Sequence, residues 1–188
     1  MFNSDTVQAQ NNNTPIKAGP SVPVTLVSVT KGDKVELKFT FKGTDPKNVG
    51  VFTHTEFAID PTDERWKQEG QDRTMARVLH IGARFADEAT ARAAFKGDSW
   101  DKYADNVIKF FSPAVIKNAG ALNAKITIRV TAEGKVYNQF PMFPNFLSSE
   151  KFPTQFTTSP GYDKYSVDTV TDTPDDMSKS QGNSDLPF

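Results

Sequence analysis

Val35-Glu36-Leu37-Lys38-Phe39-Thr40-Phe41-Lys42 alternates apolar and polar side chains at every position. Successive strand residues point to opposite faces, so Val35, Leu37, Phe39 and Phe41 share one side and Glu36, Lys38, Thr40 and Lys42 the other. A strand with this pattern buries its aromatic side and leaves Lys38 and Lys42 to solvent. Upstream, Val22, Val24 and Leu26 alternate in the same way, and Lys31-Gly32-Asp33 supplies turn chemistry between the two runs. The pair reads as a β-hairpin with one buried face. Downstream, a loop over residues 43–50 leads to a third strand over 51–59, stopped by Asp60-Pro61.

The period then becomes helical. Met75, Val78, Leu79, Gly82 and Phe85 fall on one face, with Arg73, Arg77 and Arg84 largely elsewhere. A second helix follows Asp87, a residue suited to N-capping, through Ala89, Ala93 and Phe95. A third, capped by Asp98 or Ser99, carries Trp100, Tyr103, Ala104, Val107, Ile108 and Phe111 on one stripe until Pro113. Strand alternation returns with Ile126, Ile128 and Val130 against Lys125, Thr127 and Arg129, turns at Ala132-Glu133-Gly134-Lys135, and runs back over residues 136–140. The expected fold is mainly β with an α insertion: a five-stranded barrel like the oligonucleotide-binding fold, its helical insertion (about 63–118) lying between strands 3 and 4. Residues 1–20 contain Asn11-Asn12-Asn13 and no apolar period, and read as a flexible arm. Residues 21–158 form the domain. Residues 159–188, rich in Pro, Gly, Ser, Thr and Asp, bury too little to offset their ordering entropy and read as an acidic disordered tail.

A chain of 188 residues with 24% charged and 37% hydrophobic side chains has the composition of an ordinary soluble domain with one core. No apolar run reaches membrane-spanning length. Met1-Phe2-Asn3-Ser4-Asp5-Thr6 has neither the basic end nor the apolar stretch of a secretory signal, so a cytoplasmic location without a membrane partner is expected. The complete lack of Cys removes disulfides, thiolate zinc sites and cysteine nucleophiles together. His54-Thr55-Glu56 therefore lacks the thiolates that a His-x-Glu zinc deaminase needs. There is no Gly-rich phosphate loop and no nucleophile elbow. No catalytic residue, metal or cofactor is expected, and the chain does not read as an enzyme. The net charge of −1 is divided: residues 160–188 carry six Asp against Lys164 and Lys179, a net of −4, which leaves +3 on the rest. A mildly basic body with an acidic tail suits a body that meets phosphates.

Single-stranded nucleic acid is held by flat side chains that stack on bases and cations that follow phosphates. The outward residues of the strands supply cations at Lys38, Lys42, Lys125 and Arg129. On the third strand Phe52 and His54 share one side, with Val51, Thr53, Thr55 and Phe57 on the other; Phe57 has the more apolar company, so Phe52 and His54 are taken as the exposed pair. Trp66, in a charged stretch, either stacks on a base or lids one end of the barrel. In Tyr137-Asn138-Gln139-Phe140-Pro141-Met142-Phe143-Pro144-Asn145-Phe146 the X-Pro bonds hold the rings in extended geometry, and Tyr137 and Phe140 are candidates for stacking.

The chain closes with Asp185-Leu186-Pro187-Phe188 after its acidic segment. This ending resembles that of single-stranded DNA-binding proteins of bacteria and their phages, whose acidic tails finish in Asp residues, an aliphatic residue, Pro and Phe. The Tyr137-to-Phe146 region also looks like the segment after the last hairpin in phage-encoded members. The resemblance implies a sequence-tolerant single-stranded DNA-binding protein of replication, recombination or repair, phage-encoded and working in the bacterial cytoplasm. Asp185, Leu186, Pro187 and Phe188 would recruit replication or repair proteins, and self-association is compatible with it. The competing reading is a non-enzymatic phage structural or adaptor protein that does not bind nucleic acid.

Overall fold

Leu37, Phe39 and Phe41 are fully buried, as their alternation requires. They lie in a computed structural model that describes residues 14–33, 36–57, 68–117, 119–142, 145–159 and 161–167. Its elements are β1 (Gly19–Lys31), β2 (Leu37–Gly43), β3 (Val51–Glu56), α1 (Gln68–Gly82), α2 (Glu88–Ala94), α3 (Trp100–Phe110), α4 (Pro113–Lys117), β4 (Leu122–Val130), β5 (Val136–Gln139) and β6 (Leu147–Ser149). The sheet runs β3-β2-β1-β4-β5 with every strand pair antiparallel, and β6 pairs with the start of β4. The chain is thus a mostly antiparallel-sheet domain with its helices between β3 and β4. It is not a closed barrel: among the described residues β3 and β5 are the two ends of the sheet and do not pair.

The helices form where their caps and stripes direct. Asp87 accepts from the Thr90 amide at 2.9 Å and opens α2, and Ser99 accepts from the Lys102 amide at 3.3 Å and opens α3. Tyr103, Ala104 and Val107 of α3 are buried, and Phe111 after it meets Phe39 edge-on at 5.7 Å. Gly82 ends α1 where a Cβ would sit 2.6 Å from the Phe95 ring, so only glycine lets α1 and α2 approach this closely. On α1 the expected stripe is off by one position in part. Val78 and Ile81 are buried, but Met75 is 40% exposed and Arg77 takes an inward place. Among the described residues no helix is long and apolar enough to cross a membrane.

Both ends of the domain extend beyond the boundaries expected from composition. Before β1, Ile16 is buried, Pro15 bridges Val51, and the Lys17 amide donates to Asn48 Oδ1 at 2.7 Å. Residues 14–18 therefore belong to the body and not to a loose arm. After β5, residues 147–149 form a sixth strand too short for alternation to reveal, while Phe146 and Leu147 enter the core. The chain then returns over β4: β1 pairing ends at Gly19 opposite Ile126, and the Ile128 amide donates to the Lys164 carbonyl at 2.8 Å. Asp163 and Lys164 bond to β4, so the body continues past residue 159, where composition placed the start of the tail.

Candidate nucleic-acid interface

The alternation of β3 is set by what its inner side can satisfy. Phe52, His54 and Glu56 point inward and are 3%, 7% and 6% exposed, while Thr53 is exposed and Val51 and Thr55 are half-buried. Phe52 stacks on Phe41 at 6.2 Å and meets Phe140 edge-on at 4.9 Å. His54 lies 4.7 Å from Phe140, ring to ring. These contacts join β3 through side chains to Phe140, the residue that follows β5, although among the described residues no backbone ladder joins the two strands.

The polar atoms of that inner side are matched by α1. Glu56 Oε1 accepts from Arg77 Nε and lies against His54 Nε2, each at 2.6 Å. Arg77 Nη1 also donates to the carbonyls of Pro141 and Met142, and its guanidinium lies 4.9 Å above the Phe146 ring. Burial pulls the His54 imidazole below its ordinary pKa, so the ring is neutral. Burial alone would raise the Glu56 carboxyl, but the His54 hydrogen bond and the Arg77 charge outweigh it and hold the group below its ordinary value. A carboxylate, a guanidinium and a neutral imidazole thus form one compensated buried cluster.

Outside this cluster lies a groove of about 600 Å³ between the β3 and β5 edges. Thr53, Thr55 and Phe57 form one wall, Arg129, Tyr137, Asn138 and Met142 the other, and Arg73 and Arg77 of α1 one end. Arg129 and Tyr137 stand directly opposite each other across β4 and β5, both exposed. Phe57, Tyr137 and Met142 are 58%, 52% and 54% exposed, so the walls offer flat and apolar surfaces beside cations. The outer face of β2 continues this surface. Lys42 is exposed opposite Val51, and Lys38, opposite Thr55, is half-exposed with Nζ 3.1 Å from Glu36.

No family model, curated protein or solved structure matches this chain.

Of the nucleic-acid candidates read from sequence, Arg129 and Tyr137 line the groove in the exposed positions expected, and Lys38 and Lys42 flank it. Phe52 and His54 do not present an exposed aromatic pair. The opposite side of the strand faces out because β3 ends at Glu56, leaving Phe57 beyond the alternating run, and because Arg77 satisfies the inward His54 and Glu56. Phe140 is buried, stacked on Phe146 at 4.4 Å, and shows only part of itself to the groove floor. Lys125 is also buried, at 4% exposure. Its Nζ pairs with Asp163 Oδ2 at 2.5 Å and donates to the Thr157 carbonyl, because the returning C-terminal segment covers that face of β4. Trp66 and the Asp185, Leu186, Pro187 and Phe188 tip lie outside the described residues. Arg73, Thr53, Thr55, Phe57 and Met142 were not singled out from sequence as contacts. The four-residue spacing of Arg73 and Arg77 on one helix was the available signal.

Proposed function

We propose that the chain binds single-stranded DNA without sequence preference, along the β3–β5 groove and the adjoining outer face of β2 and β3, and that it does so without catalysis. The observation that carries this reading is the exposed Arg129–Tyr137 pair, a cation and a stacking ring side by side on a groove wall, facing Phe57 and Arg73. Stacking surfaces tolerate any base because every base has a π-face, and neighbouring cations follow the phosphates. The strand order supports the finer fold assignment. A five-stranded Greek-key barrel opened between its third and fifth strands has the order β3-β2-β1-β4-β5, and the oligonucleotide-binding fold is a partly open barrel that uses its strand 2–3 face. The resemblance of the Asp185–Phe188 ending adds the rest of the proposal: a phage-encoded replication or repair protein in a bacterial cytoplasm, whose tip recruits protein partners.

A second reading has one observation in its favour. Met75, Ala76, Leu79, Phe95 and Tyr103 line a mostly apolar cleft of about 520 Å³ on the helical side, as a protein-binding adaptor would have. Fluorescence anisotropy of a labelled oligo-dT, titrated at low and moderate salt, separates the two. The DNA reading expects binding whose logarithm falls linearly with log salt at about −0.7 per phosphate contacted. Absence of binding at low salt leaves the adaptor.

A further inference from the structure

The β3–β5 seam has no backbone ladder among the described residues. Residues 14–16 span part of it, taking the Val51 amide on the Thr14 carbonyl and Asn138 Nδ2 on the Ile16 carbonyl, and something else must set the distance between the walls at the Glu56 end. Arg77 contacts both. Its Nε bonds to Glu56 at the end of β3 at 2.6 Å, while Nη1 donates to the Pro141 and Met142 carbonyls that follow β5. The guanidinium plane rests on Phe146, which stacks on Phe140. We infer that Arg77 is a positioning residue: its fork replaces the missing strand pairing and fixes the width of the groove in which nucleic acid is proposed to lie.

The chemistry requires arginine. One planar guanidinium presents donors in several fixed directions and so can hold a carboxylate and two carbonyls at once. Lysine would keep the charge opposite Glu56 but not the fixed geometry. If Arg77 only neutralised Glu56, lysine would replace it without effect. Arg77 is itself 8% exposed and engaged by Glu56, so its part in DNA binding runs through the walls and not through a phosphate. The geometric part of this inference stands alone; its consequence for affinity rests on the proposed function.

The chain has no native Cys, so nitroxide labels at Thr53→Cys and Val136→Cys report the wall-to-wall distance without background. Both positions are exposed. The expected result is a narrow distance distribution with Arg77 and a shifted or broadened one in Arg77→Lys and in the charge-neutral Arg77→Met/Glu56→Gln pair, which keeps the fold testable if one variant is unstable. An unchanged distribution in folded variants overturns the inference whatever the DNA result. In oligo-dT titrations, Arg77→Lys is expected to weaken binding about tenfold with the salt slope unchanged. The charge-neutral Arg77→Met/Glu56→Gln pair, which removes the cation, should also keep the slope; a slope reduced by about 0.7 in that pair would mean that Arg77 meets a phosphate directly, and would overturn the positioning role. If the distribution shifts but the unaltered protein binds no DNA, the clasp stands and the functional reading falls.

Discussion

Arg77 and Lys125 are both cations with less than a tenth of their surface exposed and each is matched by one carboxylate; Arg77 donates to two backbone carbonyls and Lys125 to one. Their surroundings differ. Arg77 lies at the open seam between the sheet's two ends, under a groove lined by Tyr137, Arg129 and Phe57. Lys125 lies in the middle of β4, roofed by the chain around Thr157 and Asp163. The same buried pairing therefore closes one outer face of the sheet and holds the walls of another. Cations read as phosphate contacts from strand alternation alone separate into those that stay on the surface and those a later segment covers.

The largest expected effect breaks the seam side of this comparison. Glu56→Gln leaves the Arg77 charge buried without its carboxylate and should lower unfolding stability by about 3–5 kcal/mol in urea titrations. A loss below about 1 kcal/mol would show that the cluster is not structural. Acid should act on the same side. Burial and the Arg84 charge hold His80, beside Phe146, down to about 4 from an ordinary 6.5. The unfolded chain therefore takes up this proton first, so the contribution is complete above pH 6.5 and is lost as pH falls towards 4, on the order of 3 kcal/mol. The lowered His54 acts with the same sign. Hydrogen exchange between these pH values should loosen α1 and β3 first, and a His80→Gln variant should flatten the pH dependence of stability.

Smaller effects sharpen the contrast in binding. Tyr137→Ala on the open side should cost about 1–3 kcal/mol of oligo-dT affinity, the range for one stacked base, with stability little changed. On the roofed side, Asp163→Asn should leave affinity intact. It should lower global stability by only about 1–2 kcal/mol, because the C-terminal segment can lift away locally, and limited proteolysis should then cut among residues 153–167. A drop in DNA affinity for Asp163→Asn would bring the two sides into one functional unit and end the comparison.

The strand and helix periods were legible because each reports a single covered face: Leu37, Phe39 and Phe41 on β2, and Tyr103, Ala104 and Val107 on α3. Alternation states which residues share a side, but not what covers each side. Lys125 was misread because its cover comes from residues some thirty positions later, and residues 14–18 because Ile16 is one buried side chain in a segment without a period. On β3 both sides looked half-polar, and the inward choice depended on Arg77 arriving from α1 to satisfy His54 and Glu56. Arg129 and Tyr137 were legible as surface residues; that they stand side by side on a groove wall depended on the β4–β5 register.

Amide chemical-shift mapping of the isotopically labelled full chain with oligo-dT tests the central claim most directly. The groove account predicts that the largest shifts fall on Thr53, Thr55, Phe57, Arg129, Tyr137 and Asn138, with Lys125 and its roof unaffected. Shifts centred on the Met75–Leu79–Phe95 cleft, or none at low salt, would contradict it.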